Sequence, residues 1–255
     1  MTTTQRRIIL FFVVTYALTW FGWLGNWLAP GPYWPLPMNP FGPLIAAPLV
    51  LWLTEGGAGV RAWLRRIWRF RAPLWVYAVA LIGPLIVIVA SIWLATMSGA
   101  ATAPLPPREF AEFLILIPIM LIAGPLPEEL SFRGHGQHEL QKEMTPLTAA
   151  LWIGIGVLIW HTPVFLTGDV PWPFIVTIVA VSVVYAWLYQ VGGSVWPLVT
   201  LHFSVNYFGG EWLGSMIAPD GQVTYGLWFA AFYLVWVAVL VWRYGPELGR
   251  RSPAT

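Results

Sequence analysis

The stretch "FLILIPIMLIAGPLPEELSFRGHGQHEL", residues 113–140, decides how this chain is read. Its first eleven residues carry no charge and suit lipid. Its second half places Glu128, Glu129 and Arg133 within six positions. A charged side chain at the centre of a bilayer costs about 2.5–3.5 kcal/mol on insertion scales. A membrane-grade segment that ends this way therefore raises two questions: whether the whole chain belongs in a membrane, and what these charges meet there.

Composition answers the first. Of 255 residues, 58% are hydrophobic and 9% charged, and the mean hydropathy is +0.70. A water-soluble domain carries about 25% charged residues. One soluble core could not bury this much apolar surface, so the expected fold is an all-α, polytopic transmembrane bundle, a single domain over residues 1–255. The 18 Trp suit membrane–water interfaces. A net charge of only +2, with clustered arginines, excludes nucleic acid as a partner and points to the lipid bilayer. Cysteine is absent, which removes disulfides, thiolate metal sites, a cysteine nucleophile and C-terminal prenylation of this chain. The first apolar run, residues 8–29, follows Arg6 and Arg7. It is too long for a signal-peptide core and lacks a small-residue cleavage site, so it reads as a retained helix.

A helical span needs about 20 apolar residues. Eight segments qualify, at 8–28, 39–54, 74–97, 110–132, 147–166, 172–190, 195–215 and 223–243, the second being short and flanked by proline. Between the second and third lies "GVRAWLRRIWRFR", residues 59–71, which reads as an amphipathic basic helix on an anionic membrane surface and as a topology-setting loop. With eight spans, Arg6, Arg7, the five arginines of 61–71, Lys142, Arg243, Arg250 and Arg251 fall on one side, and only Arg108 on the other. The positive-inside rule then predicts a multi-pass protein of the cell membrane with both termini cytoplasmic.

The second question turns on three polar groups inside apolar segments: "EELSFR" at 128–133, His161 in "VLIWHTPVF", and "HFSVN" with His202 and Asn206. Pro125 and Pro127 predict a kink or restart just before the glutamates. Glu129 and Arg133 stand at i and i+4, the spacing of an ion pair on one helix face. Glu128 points about 100° away and is left for another task. The turn near 143–146 folds a hairpin that brings Glu128 and His161 to similar depth, and His202 and Asn206 again share a face. The four are expected to converge in the cytoplasmic half of the membrane. A carboxylate and a neutral imidazole can polarise a water, and a histidine with an asparagine can donate to an oxyanion. His135 and His138, in the polar "RGHGQHELQKE", are expected to be solvated.

Motif order and spacing resemble the CPBP (CAAX-protease and bacteriocin-processing, or Abi) family, whose pattern is EExxxR, then FxxxH, then HxxxN or HxxxD. The likeness covers residues 124–207, with Val157 where the family usually has Phe. It implies an intramembrane endopeptidase, similar to the type II CAAX prenyl endopeptidases, acting on a peptide or membrane-protein substrate. It also implies that Glu128 and His161 activate water, that His202 and Asn206 stabilise the oxyanion, and that Glu129 and Arg133 support the site. No cofactor is the favoured reading. The alternative is zinc held by Glu128, His161 and His202, although "HGQHE" at 135–139 is not the "HExxH" order. Two other classes remain on residues alone: a catalytically silent scaffold or immunity-type protein, and a transporter with a Glu/His relay. The transporter reading lacks the paired repeats it would want.

Overall fold

A computed structural model describes residues 1–30 and 38–250; Arg251, counted above among the charges of one side, lies outside the described residues. The chain is helical almost throughout. Helix α1 spans Thr3–Leu28, α2 Gly42–Ile67, α3 Leu74–Met97 and α4 Phe110–Ala123. A one-turn helix α5, Pro125–Glu128, runs into a π-helix, π1, Glu129–Gln137, and a short α6, His138–Leu140. Then come α7 Pro146–Trp160, α8 Thr162–Leu166, α9 Phe174–Gly192 and α10 Trp196–Ser204, which continues as a second π-helix, π2, Val205–Trp212. The last helix, α11, spans Gln222–Tyr244. The fold is thus an all-α bundle, and the protein is a multi-pass membrane protein.

Among the described residues, six helical stretches are long and apolar enough to cross a membrane: 3–28, 42–67, 74–97, 110–140, 174–192 and 219–247. The two remaining expected spans are also helical but interrupted. α7 is a shorter apolar helix that stops at Trp160, and the α10–π2 segment changes helix type at Val205. Both interruptions fall beside motif residues. In the lipid core such breaks are tolerated only where other groups in the protein satisfy the freed backbone.

The two ends of the bundle are chemically distinct. At one end Thr2 Oγ1 donates to Glu143 at 3.0 Å, Arg250 donates to the Met144 carbonyl at 3.2 Å, and Trp196 Nε1 donates to the Ile67 carbonyl at 2.7 Å. Here α1 begins, α2 ends, α7 and α10 begin, and the last described residue returns. Arg7 pairs there with Glu55 and Glu139. At the opposite end Ala103 N donates to Met216 O at 2.8 Å and Ala218 N to Ala101 O at 2.9 Å, and Arg108 donates to the Glu211 carbonyl. The expected segregation of basic residues is therefore present in space, and the N-terminus and Arg250 share an end.

Residues 59–71 do not form a separate helix. They continue α2 past a break at Gly56, whose φ of 63° and ψ of −163° suit glycine, and the helix ends at Ile67. Trp63 and Ile67 are buried while Arg61, Arg65 and Arg69 are exposed, so the amphipathic character of this stretch holds although its helix begins before it and ends within it.

Apolar side chains face outward along the spans, among them Ile86, Trp93, Ile115, Ile119 and Val235, while a set of polar residues is inside. Two buried clusters fill the interior. One joins α3, α9, α10 and α11 through Ile88, Val184, Leu198, Leu201, Phe229 and Tyr233. The other joins α1, α2, π1 and α7 through Phe11, Ala47, Val50, Phe132, Ile153 and Trp160. Lipid tails are as apolar as leucine, so helices here associate by close packing. Gly154 on α7 shows how close: a Cβ there would stand 3.1 Å from the Val179 backbone and the Ser182 side chain of α9.

Candidate active site

The break that sequence places at Pro125 and Pro127 occurs one residue earlier, at Gly124, with φ −150° and ψ −77°. Pro125 then starts the new turn, where its missing N–H costs nothing. This offset turns Glu128 and Glu129 inward, 5% and 0% exposed. From Glu129 the backbone winds as a π-helix, a form that is rare and often found at functional sites.

Glu129 Oε1 is the hub. It accepts from Arg133 Nη1 at 3.0 Å and lies 2.8 Å from His202 Nδ1. Arg133 also donates from Nη2 to Ser182 Oγ at 3.0 Å, and Ser182 passes its own proton to the Ile178 carbonyl at 2.9 Å. The Arg133 guanidinium lies 4.3 Å from the ring centroid of Tyr185, a cation–π contact. The buried cation is thus answered by a carboxylate, a hydroxyl and an aromatic face, all from neighbouring turns of π1 and α9.

Glu128 is different. Among the described residues, no hydrogen bond or ion pair holds its carboxylate, and it faces the same cavity. A Cβ on Gly124 would lie 3.6 Å from Glu128 Oε1 and 3.5 Å from Asn206 Nδ2, so these two polar ends flank one point beside the Gly124 backbone. Asn206 is on π2, one turn beyond His202 on α10.

His161 caps α7, with φ −79° and ψ 1°. Its Nδ1 lies 2.9 Å from the Val157 carbonyl. A carbonyl only accepts, so Nδ1 carries the proton and a neutral His161 keeps the lone pair on Nε2. Trp160 braces the joint: its Nε1 donates to Thr19 Oγ1 at 2.8 Å, and its carbonyl accepts from Trp20 Nε1 at 3.0 Å.

All six predicted residues, Glu128, Glu129, Arg133, His161, His202 and Asn206, line one cavity of about 560 Å³. The cavity extends to the 168–171 connection and to Pro219 and Gln222. Those elements lie at the end away from the basic residues, because α7 runs from the basic end to His161 and α9 returns from Phe174. His161 lies fifteen residues along from the start of α7, about 22 Å at 1.5 Å per residue, and His202 six residues from the start of α10, about 9 Å.

Among the described residues, no group of three or more His, Cys, Asp or Glu is arranged to hold a metal ion. His202 is fixed to Glu129, and His161 to a carbonyl, through Nδ1 alone, which leaves Nε2 of each ring unengaged.

Sequence reasoning missed several residues. Ser182 and Tyr185 hold Arg133, and a lone serine in "TIVAVSVVYAW" was the available signal. Thr177, Gln222 and Tyr225 line the cavity with no local pattern to announce them. His135 corrects the expected solvation: it is fully buried, edge-on to Phe11 at 5.0 Å, because π1 packs between α1, α2 and α7. His138, with a half-buried side chain, lies at the rim of a different pocket.

Residues 110–208 match the family model described as type II CAAX prenyl endopeptidase Rce1-like, an interval that contains every one of the six residues above. No curated protein matches the chain.

Proposed function

We propose that this chain, whose residues 110–208 match the family model described as type II CAAX prenyl endopeptidase Rce1-like, hydrolyses a peptide bond inside the membrane with a water activated by Glu128. That match supports a CAAX-type protease of the hydrolase class, multi-pass in the membrane, with a peptide as its class of substrate. The assignment of chemical roles is our reading. The observation that carries it is one cavity lined by two unlike glutamates: Glu129, held on Oε1 by Arg133 and His202, and Glu128, held by neither.

A carboxylate free of protein partners can accept a proton from water. His161 Nε2, with its lone pair exposed to the cavity, is the second acceptor and can shuttle that proton to the leaving amine. Attack on the scissile carbonyl generates an oxyanion, and Asn206 Nδ2 is a donor placed beside Glu128. His202 joins it through Nε2–H when the imidazole is protonated, since Nδ1–H is directed to Glu129. Glu129 and Arg133 hold that ring in place. No step calls on a metal ion, and the cell-membrane location with both termini cytoplasmic follows from the clustering of basic residues at one end.

The test is peptide cleavage by the purified protein in detergent. Glu128→Gln keeps folded yield and lowers turnover by about 10²–10⁴, the range for loss of a general base. Full activity in Glu128→Gln overturns the assignment. A wild-type protein that binds peptides but never cleaves them is instead a silent scaffold. Stoichiometric zinc lost and restored together with activity would transfer Glu128, His161 and His202 to the role of ligands.

A further inference from the structure

A second chamber lies at the basic end of the bundle, away from the motif cavity. It measures about 720 Å³ and is bounded by the last turns of α2, the 138–142 segment, the end of α9 and Arg250. Its walls carry Arg65, Arg66, Arg69, Lys142 and Arg250, with His138 at the edge, and no carboxylate lines it. The nearest acids are already engaged: Glu139 with Lys142 and Arg7, and Glu247 with Arg250. Among the described residues, Arg65, Arg66 and Arg69 form no ion pair. Arg66 is fixed by donation from Nε to the Gly134 carbonyl at 2.8 Å, which leaves its terminal nitrogens available. A neutral donor completes the wall: Gln141 gives its oxygen to Gln190 at 3.1 Å, and its Nε2 is buried without a partner.

Three unpaired guanidinium groups around a concave space repel one another, and sequence periodicity alone does not demand that α9 and the 138–142 segment close that space. The arrangement makes sense when an anion sits in it. Guanidinium forks match the oxygens of a phosphate, and a buried amide N–H adds a directional donor. Trp68 and Phe70, exposed next to the arginines, place the chamber at the level where aromatic side chains meet lipid headgroups. Basic pockets between transmembrane helices bind such headgroups.

We propose that this chamber is a binding site for a phosphate-bearing anion, which reaches it either as the headgroup of an anionic phospholipid or as a free phosphate compound. Because Arg66 holds Gly134, the residue after Arg133, an occupant also braces the middle of π1.

The experiment uses the full chain in neutral detergent. Thermal unfolding is followed while dioleoyl phosphatidylglycerol, dioleoyl phosphatidylcholine or inorganic phosphate is titrated. The wild type is compared with two double variants that remove equal charge: Arg65→Gln with Arg69→Gln inside the chamber, and Arg61→Gln with Arg71→Gln outside it. All four arginines are exposed, so both proteins are expected to fold. Saturable stabilisation by phosphatidylglycerol but not phosphatidylcholine is expected. The inner variant should need about 10–30-fold more lipid, the worth of two interfacial basic residues, and the outer one should stay within about threefold. Inorganic phosphate that saturates the site where phosphatidylglycerol adds nothing also supports it and assigns a soluble source. Binding of neither probe overturns the proposal. So does an equal loss in both double variants, which would reduce the effect to diffuse surface charge.

Discussion

In the motif cavity, Arg133 and Glu129 are both inside the bundle and neutralise each other at 3.0 Å, with His202, Ser182 and Tyr185 as further partners, although Glu129 Oε2 and Arg133 Nε are buried without a hydrogen bond. In the chamber at the basic end, Arg65, Arg66 and Arg69 share one edge with no carboxylate of their own. Both regions are rich in charge, yet one pairs its cation with a carboxylate and the other leaves three guanidinium groups without one. Depth explains the difference. A charge buried among helices must be paired, because the cost of leaving it alone falls on folding. A charge at the bundle's end retains water and loses little by being unpaired, so it can be kept for something that arrives from outside.

The contrast can be broken most sharply by accessibility. The chain has no cysteine, so single cysteines report cleanly. Cysteines placed at Arg65 and at Asp169 should react with a membrane-impermeant maleimide from opposite faces of the membrane, an all-or-none result. Reaction of both from one face would mean that the motif cavity and the basic chamber are approached together.

The next effect is on folding. Glu129→Gln removes the partner of a buried guanidinium and should destabilise the protein by about 3–5 kcal/mol, read as lost folded yield and faster inactivation in detergent. Glu128→Gln, by comparison, should leave yield intact. Equal loss in both would erase the division between a paired and a free glutamate.

Asn206→Ala should retain folded yield and lower turnover by about 10²–10³, the usual consequence of removing one oxyanion donor. A change in KM with turnover unaltered would make Asn206 a substrate-binding residue. The smallest effect is expected at the basic end, where Arg65→Gln should change unfolding stability by no more than about 0.5 kcal/mol in lipid-free detergent, because its side chain is exposed and unpaired. A larger loss there would show that the chamber's cations hold the fold together, and the contrast between the two regions would fall.

Several of these features are legible in the amino-acid sequence. Hydropathy identifies the membrane bundle and its helical segments, because spanning the hydrocarbon core imposes length and composition on each segment separately. The i, i+4 spacing identifies Glu129 with Arg133 and His202 with Asn206, because residues four apart share a helix face whatever surrounds them. Motif order is enough to name Glu128 and His161 as well. The basic stretch is legible as charge and amphipathicity, although its helix is the continuation of α2 past Gly56.

What remained hidden is of one kind. Local periodicity says which side chains share a face; it does not say which faces meet. That Glu129 is divided between Arg133 and His202, that Ser182 and Tyr185 receive the guanidinium, and that His135 is buried against Phe11 are contacts that, Arg133 with Glu129 apart, join segments tens of residues apart. They depend on where the backbone breaks, at Gly124 and His161, and on two π-helical stretches that shift the register of every residue after them. The end toward which the cavity extends follows from those breaks. The sequence alone determined the membrane class, the helical segments and the residues that share a face; the tertiary structure decided which of those faces enclose a cavity, since that depends on how interrupted helices cross.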